Sequence, residues 1–238
     1  MMLKHRKVIV TGGSGGYGKG IAKAFRDAGA EVWITGRNER KLNETAEELA
    51  VHAFRADASC GKDWDALMEA VGSVDILINN AGFGGRILPT AEQKDEDIIA
   101  TIQTNLTGAI LGSARAARIM REKKSGMIIN ISSVCALYAW PAWSVYTAAK
   151  AGLAKFSHGL YTELRPFGVR VLCVTPSWGK TDFNEAAQIP GALTTELLEQ
   201  SIAPEELGGL IRNLAELPDH LGVPDITIQP MVQDICPM

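Results

Sequence analysis

The sequence contains few cysteines, no long apolar run and no block of like charges, and each absence excludes a class of protein. Its four cysteines lie far apart and form no Cys-x-x-Cys pair, which argues against a zinc site or a disulfide framework. The apolar run near residue 8 ends after about four residues, which is too short for a signal peptide core or a membrane span. We therefore expect a cytoplasmic protein with reduced thiols and no metal site.

The charge distribution gives no sign of a nucleic-acid or membrane partner. The chain has 24 basic and 27 acidic residues, so that its formal net charge is −3. These charges are interspersed, and neither a polyanion nor an anionic lipid surface is expected to bind. Apolar residues make up 46% and charged residues 21% of the 238 residues, which is typical of a globular domain with a substantial core.

Apolar, β-branched segments alternate with segments of helical periodicity. The strand-like segments are apolar at nearly every position, as expected when helices cover both faces of a parallel sheet. This alternation predicts an α/β protein with a Rossmann-like, doubly wound parallel sheet, built as a single domain over residues 1–238. The predicted strands are residues 7–11, 31–35, 51–55, 74–79, 126–132, 169–175 and 225–230, and the main later helices are 97–120, 144–164 and about 204–216.

The segment VIVTGGSGGYGKG, residues 8–20, fits two phosphate-binding patterns. Read from Gly13, it approaches the loop of nucleotide triphosphatases, but Gly20 stands where that loop needs a Ser or Thr hydroxyl for magnesium. Read as a turn between a strand and a helix, Gly12 permits the tight bend. In that reading Gly16 and Gly18 let the backbone approach a pyrophosphate at the helix N-terminus. Because a glycine-rich turn can also be merely structural, the residues further along the chain are needed to choose.

Over nearly its whole length the chain resembles the short-chain dehydrogenase/reductase family. The resemblance rests on several motifs in one order and spacing, namely the glycine turn at 11–18, Asn-Asn-Ala-Gly at 79–82, Asn105, Ser133 and Tyr146-x-x-x-Lys150. It implies an oxidoreductase that interconverts a secondary alcohol and a ketone, acting on a small-molecule carbonyl or alcohol. It also implies a homodimer or homotetramer. A catalytically silent cofactor-sensing or scaffolding protein of the same fold is the alternative.

The resemblance assigns catalysis to Asn105, Ser133, Tyr146 and Lys150. Tyr146 and Lys150 are four residues apart and share one face of a helix. An isolated tyrosine, with a pKa of about 10, is a poor base at neutral pH, whereas a nearby ammonium favours the phenolate. In the family, Ser133 would hydrogen-bond the substrate oxygen, Lys150 would also hold the nicotinamide ribose, and Asn105 would support a water chain from Lys150.

The end of the second predicted strand indicates which cofactor is used. No acid occurs there before Glu39, and Arg37 can grip a 2′-phosphate with two hydrogen bonds. We therefore expect NADP(H) to be preferred, with NAD(H) possible, although Arg37 can also be read as a solvated loop arginine. Asp57 matches the adenine-contacting acid of the family or is simply a helix cap. The other cofactor-binding residues implied are Gly12, Ser14, Gly16, Tyr17, Gly18, Asn79, Ala81, Gly82, Tyr146, Lys150, Pro176 and Thr181.

Bulky aromatic residues border the predicted catalytic group. They come from segments near the carboxyl ends of strands, where such folds bind ligands, and they favour a substrate with an apolar body. The aromatic residues do not distinguish between steroid, sugar and acyl-thioester substrates. Residues 181–204 are predicted to form a mobile lid over this pocket. Alternatively, these aromatic side chains pack within the lid or the core, or form a contact between subunits. The predicted substrate-contacting residues are Ser133, Tyr138, Trp140, Trp143, Trp178 and Phe183.

Overall fold

Seven parallel strands form one sheet in the computed structural model, which describes residues 2–183 and 194–233. The strands are β1 (Lys7–Thr11), β2 (Glu31–Gly36), β3 (His52–Arg55), β4 (Ile76–Asn79), β5 (Gly126–Ile131), β6 (Val169–Pro176) and β7 (Asp225–Ile228). Their order across the sheet is β3-β2-β1-β4-β5-β6-β7, and every neighbouring pair is parallel. The predicted doubly wound α/β fold is confirmed.

Helices cover both faces of this sheet. They are α1 (Gly16–Asp27), α2 (Glu39–Leu49), α3 (Gly61–Val71), α4 (Asp95–Ile102), α5 (Gly108–Lys123), α6 (Ser144–Leu164), α7 (Thr195–Glu199) and α8 (Pro204–Ala215), with short 3-10 turns at Thr90–Glu92, Val134–Ala136 and Arg165–Phe167. Val8 and Val10 of β1 face the core under α1, α2 and α8, whereas Ile9 faces the core under α3, α5 and α6. Because successive side chains point to opposite faces, a strand covered on both sides is apolar throughout.

The helix predicted over residues 97–120 is present, but it is not α-helical throughout. Helix α4 begins at Asp95, and a π-helical segment, Gln103–Thr107, separates it from α5. The side-chain amide of Asn105 donates to the carbonyl oxygens of Thr101 (2.9 Å) and Phe83 (2.8 Å). Insertion of a side chain into the backbone ladder is a common cause of such an irregularity.

Helices α1 and α8 pack unusually closely, and glycine residues form the contact between them. A Cβ atom at Gly20 would overlap the carbonyl oxygen of Pro204, and one at Gly208 would overlap the carbonyl oxygen of Gly20. Apolar side chains beside these glycines, including Ile21 of α1 and Leu207 of α8, belong to one buried cluster. The glycine turn that precedes α1 is therefore supported by an element almost 200 residues further along the chain.

The central part of the lid predicted over residues 181–204, residues 184–193, lies outside the described residues, so the lid stays a prediction. At the start of the predicted lid, residues 181–183 follow the loop after β6. At its end, α7 leads into α8. Within 2–183 and 194–233, no helix is long and apolar enough to cross a membrane. Over the same ranges, no group of three or more His, Cys, Asp or Glu side chains is placed to hold a metal ion.

Candidate active site

A cavity of about 570 Å³ opens at the carboxyl ends of the strands. The chain leaves β1 towards β2 on one side and reaches β4 on the other, so the strand order reverses between β1 and β4. Such a reversal leaves a crevice between the loops that follow the two strands. Residues immediately after four different strands line the cavity, namely Gly12, Asn80, Ser132 and Ser177.

The glycine turn forms one wall of this cavity. Gly12 has a φ of +64°, which favours glycine, and a Cβ at Gly18 would overlap the carbonyl oxygen of Gly12. No side chain of the described residues caps the start of α1, where Gly15 is the N-cap. The N–H groups of its first turn are therefore available to an anion, and the turn fits the pyrophosphate of a dinucleotide. Of the predicted cofactor residues here, Gly12, Ser14, Gly16 and Tyr17 line the cavity, and Gly18 lies behind them.

The residues of the Asn-Asn-Ala-Gly segment after β4 point in two directions, some into the cavity wall and one into the core. The Asn80 amide donates to the carbonyl oxygen of Thr11 at 2.9 Å, and the Thr11 hydroxyl accepts from the backbone N–H groups of Asn80 and Ala81. These bonds tie the end of β4 to the end of β1, and Asn80, Ala81 and Gly82 line the cavity. The Asn79 amide instead donates inward, to Asn130 Oδ1 at 2.8 Å. Its cofactor contact stays a prediction, since Asn79 lies behind the cavity wall.

The four predicted catalytic residues line this same cavity, although they come from three separate elements. Tyr146 and Lys150 lie in α6, where their exposed fractions are 6% and 4%. Lys150 Nζ donates to the carbonyl oxygen of Ile131 at 2.8 Å and lies 5.8 Å from the centre of the Tyr146 ring. Ser133 follows β5, and its hydroxyl hydrogen-bonds the Tyr146 side chain. The neighbouring Ser132 donates instead to the carbonyl oxygen of Lys150.

Asn105 reaches the catalytic group because of the π-helical segment. Its side-chain oxygen accepts from the N–H of Phe83 at 3.2 Å, while its amide nitrogen donates to the carbonyl oxygen of the same residue. A Cβ at Gly82 would lie 2.6 Å from Asn105 Oδ1 and 3.5 Å from Lys150 Nζ. The missing side chain of Gly82 therefore leaves room for both polar groups at one point of the cavity.

Burial sets the protonation of the Tyr146–Lys150 pair. Loss of hydration raises the pKa of Tyr146 above its usual value, and the hydrogen bond with Ser133 partly opposes that rise. The same loss lowers the pKa of Lys150 to about 8. Both shifts have one cause, because a low-dielectric interior disfavours the charged form of each group. Near neutral pH the Tyr146 hydroxyl is protonated and can give a proton.

Aromatic side chains surround the Tyr146 ring. Trp143 meets it edge-on, with ring centres 5.6 Å apart, and Phe183 lies 5.6 Å away on another side. Trp140, Trp143, Trp178 and Phe183 all line the cavity. Tyr138 packs edge-on against Trp140 at 6.2 Å but is not part of the cavity wall, so its predicted substrate contact stays a prediction.

Two positions that depart from the usual family residues contact each other. Tyr17 stands where the glycine turn commonly has Ile, and Ser177 stands in place of Gly after Pro176. The Tyr17 hydroxyl donates to the carbonyl oxygen of Ser177 at 3.4 Å, and burial raises the pKa of this phenol. A Cβ at Gly179 would overlap the Tyr17 hydroxyl. Tyr17 thus braces the loop after β6, where Pro176 and Thr181 line the cavity as predicted cofactor residues.

The predicted cation and the predicted acid of the cofactor site, Arg37 and Asp57, lie in the loops after β2 and β3. Arg37 is exposed, and its charge acts on Asp57, whose pKa is lowered. Burial alone would raise that pKa, but two hydrogen bonds from Ser59 and the charge of Arg37 outweigh it. Neither Arg37 nor Asp57 belongs to the cavity wall. Their contacts with the cofactor stay predictions, and the bonds to Ser59 fit the alternative role of Asp57 in a local turn.

Among the residues of the cavity wall that sequence reasoning did not assign to the site are Lys41 and Gln233, whose side chains can donate hydrogen bonds. A Cβ at Gly15 would lie 3.0 Å from Lys41 Nζ, so this cation stands beside the glycine turn. It lies in the first turn of α2, four residues after Arg37, so a second cation close to Arg37 in the sequence was the available signal. Gln233 lies near the end of the chain, where no motif pointed to it.

The family comparison agrees with this geometry. The family model described as "short chain dehydrogenase" matches residues 6–190. Sulfoacetaldehyde reductase 2 of Chromohalobacter salexigens is 31% identical, with 95% of this chain and 94% of the relative covered. Serine 3-dehydrogenase of Agrobacterium fabrum is 29% identical over 95% of this chain and 94% of the relative.

Solved structures give the same result at the level of the fold. A closed form of serine dehydrogenase complexed with NADP+ superimposes with a TM-score of 0.90 at 27% identity, covering 98% of each chain. The 3-ketoacyl-(acyl-carrier-protein) reductase of Brucella melitensis, complexed with NADH, gives a TM-score of 0.86 at 26% identity and covers 95% of this chain and 98% of its own. The chain belongs to the short-chain dehydrogenase family and is an oxidoreductase that acts on CH–OH groups with a nicotinamide cofactor.

Proposed function

We propose that this protein is an NADP(H)-dependent oxidoreductase that interconverts a secondary alcohol and a ketone, with Tyr146 as the acid and base. The observation that carries the proposal is one cavity lined by the glycine turn, by Ser133 and by the buried Tyr146–Lys150 pair. Each part occurs in many unrelated proteins, but a dinucleotide turn beside a proton donor is what carbonyl reduction requires.

The residues of the cavity wall fit a nicotinamide dinucleotide. The turn around Gly12 and Gly16 would hold its pyrophosphate, Lys150 its nicotinamide ribose, and Thr181 with Pro176 its carboxamide. When bound, this cofactor supplies the hydride for reduction or accepts it in oxidation. NADP(H) is proposed over NAD(H) because Arg37 follows β2 with no acid before it, and because Lys41 adds a second positive charge nearby.

The protein's own residues handle the proton. In reduction, the Tyr146 hydroxyl gives its proton to the substrate oxygen as negative charge develops there, and in oxidation it takes a proton back. Ser133, which hydrogen-bonds Tyr146, is placed to donate to the same oxygen. Because the site is buried and lined by aromatic rings, such hydrogen bonds are stronger than they are in water. Lys150 and Asn105 would return the proton through a water chain.

The proposal is tested by following nicotinamide absorbance with NADPH and a panel of ketones, keto acids, ketosteroids and keto sugars. Tyr146→Phe removes only the hydroxyl, and we expect turnover to fall at least about 100-fold while NADPH binding is retained. Tyr161→Phe is the matched control, since Tyr161 lies in the same helix and outside the cavity wall. Unchanged turnover in Tyr146→Phe would contradict the mechanism. NADPH binding without turnover of any compound would favour the silent, cofactor-sensing alternative.

The resemblance also leads us to propose a homodimer or homotetramer. No partner copy is needed to bring the four proposed catalytic residues together, since all of them line one cavity of a single chain. Light scattering during size-exclusion chromatography measures the assembly directly. A monomer of 25.6 kDa that turns over would contradict this part of the proposal and leave the mechanism intact.

A further inference from the structure

Gln233 brings a polar side chain into the cavity wall from the segment after β7, beside the loop after β6. It follows β7 and lines the same cavity as Tyr146 and Ser133. Only 8% of the residue is exposed, so its amide is held inside the protein. A buried primary amide has two donors and one acceptor to satisfy, and leaving a donor unpaired is costly.

Contacts with the loop after β6 fix the orientation of this amide. The backbone N–H of Trp178 donates to Gln233 Oε1 at 3.3 Å, and the Ser177 hydroxyl hydrogen-bonds the same oxygen. Because a backbone N–H can only donate, the atom facing Trp178 is the amide oxygen and not its nitrogen. The amide nitrogen, Nε2, therefore faces away from Trp178. Among the residues that the structure describes, Nε2 has no hydrogen-bond partner.

The charges of the cavity wall restrict what that donor can bind. Among the described lining residues, the charged ones are Lys41, Asp182 and Lys150. Lys41 Nζ lies 3.8 Å from Asp182 Oδ2 beside the glycine turn, and Lys150 belongs to the catalytic group. The remaining wall near Tyr146 is aromatic, with Trp143 and Phe183 against its ring. A carboxylate or sulfonate bound against these rings would lose its hydration, and the cation nearest to it among the described lining residues, Lys150, is already bound to the carbonyl oxygen of Ile131 and assigned to the cofactor, so an anion is disfavoured there.

We infer that Gln233 is a specificity-determining residue whose Nε2 donates a hydrogen bond to a second, uncharged oxygen of the substrate. The substrate class is therefore a ketone that carries a neutral ester, amide or further carbonyl group on an apolar body. Ser177 acts as a positioning residue, because its hydroxyl holds the amide oxygen and so aims the nitrogen. The inference rests on the proposed function and narrows it.

The test compares two ketones of equal chain length with NADPH as the reductant. Ethyl 3-oxobutanoate carries the second carbonyl oxygen and 2-heptanone does not, and the measured quantity is the ratio of their kcat/KM values. In Gln233→Met, which keeps length and removes the donor, we expect this ratio to fall by about tenfold. Gln200→Met, an exposed glutamine outside the cavity wall, is the matched control and should keep the wild-type ratio.

Two further measurements separate specificity from structural damage. Ser177→Ala should lower the ratio in the same direction and by a smaller factor, because it only loosens the amide. The free acid, 3-oxobutanoate, should be reduced less efficiently than its ethyl ester by the wild-type protein. An unchanged ratio in Gln233→Met, or an equal loss with both ketones, overturns the inference while the proposed function stands. If the wild-type protein binds NADPH and reduces no ketone, the proposed function fails first and this inference with it.

Discussion

Lys150 is a lysine with almost no contact with water. Its Nζ has one hydrogen bond to a backbone carbonyl oxygen, that of Ile131, and it lies close enough to Tyr146 to favour the phenolate when charged. Burial lowers the pKa of Lys150 from 10.5 to about 8. The residue that would assist the acid and base is therefore itself close to titrating at physiological pH.

This shift predicts a pH-dependent stability. Between pH 8 and 10.5 the unfolded chain holds a proton that native Lys150 has released, so the free energy of unfolding rises with pH across this window. Relative to Lys150→Met, the gain for the wild-type protein is on the order of 3 kcal/mol. Urea unfolding of both proteins at pH 7 and pH 10, without cofactor, measures it. A difference between the two proteins that does not change with pH would contradict the lowered pKa.

Arg37 and Lys41 provide the second prediction at this scale. If they bind the 2′-phosphate, Arg37→Ala raises the Kd for NADPH by about 10- to 100-fold, as expected for a lost charged hydrogen bond, and leaves the Kd for NADH unchanged. Lys41→Ala should act in the same direction. Arg40→Ala is the matched control, because Arg40 is 83% exposed and pairs with Glu44. An unchanged Kd for NADPH in Arg37→Ala would show that Arg37 is a solvated loop arginine, and an equal loss of affinity for both nucleotides would contradict a contact with the 2′-phosphate.

Single residues of the site differ in how far the sequence predicts them. Tyr146, Lys150 and Ser133 were predictable, because their chemistry requires a fixed spacing that recurs in the family, and the structure places them in one cavity. Gln233 was not predictable, since its place depends on how the segment after β7 returns across the loop after β6. Lys41 lies between these cases, because its closeness to Arg37 in the sequence could be read but its contact with the glycine turn could not.

At the scale of elements, the sequence predicts strands better than helix continuity. A strand covered on both faces is recognisable as a short apolar run, and all seven predicted strands are present with small shifts at their ends. The helix predicted over 97–120 is present, but its π-helical segment could not be read from apolar periodicity, which does not report on a side chain that enters the backbone ladder. Asn105 does so through bonds to Thr101 and Phe83, and only the second of these is distant in sequence.

The packing of α1 on α8 gives a prediction with an internal control. Gly208 and Gly209 are adjacent in α8, but a Cβ at Gly208 would overlap the carbonyl oxygen of Gly20, whereas one at Gly209 meets nothing within 4 Å. Gly208→Ala should therefore destabilise the protein by about 1–3 kcal/mol through overpacking. Gly209→Ala should stabilise it by about 0.5–1 kcal/mol, because alanine favours the helix. Equilibrium denaturation measures both, and similar effects of the two changes would contradict the close approach.

The whole molecule is two sets of strands that meet at β1 and β4, with the cavity across their junction. A ligand bound there contacts loops after β1, β4, β5 and β6 at once, so its binding stabilises the native state as a unit. At a hundredfold excess over Kd, NADPH should add about 2.7 kcal/mol, which raises the Tm by about 5–11 °C for a domain of this size. Thermal unfolding with and without NADPH measures this shift, and Arg37→Ala should reduce it. No shift at that excess would contradict binding across the junction.

The dependence of α1 on α8 determines when the protein becomes competent during its synthesis. The glycine turn and α1 leave the ribosome well before α8, yet Ile21 and Phe25 of α1 are buried partly against Leu207 and Ile211 of α8. Until α8 emerges, that apolar face is open to water and to other chains, which is the condition in which nascent proteins engage chaperones. Nucleotide binding at the glycine turn thus waits for α8, although the turn itself is translated almost 200 residues earlier.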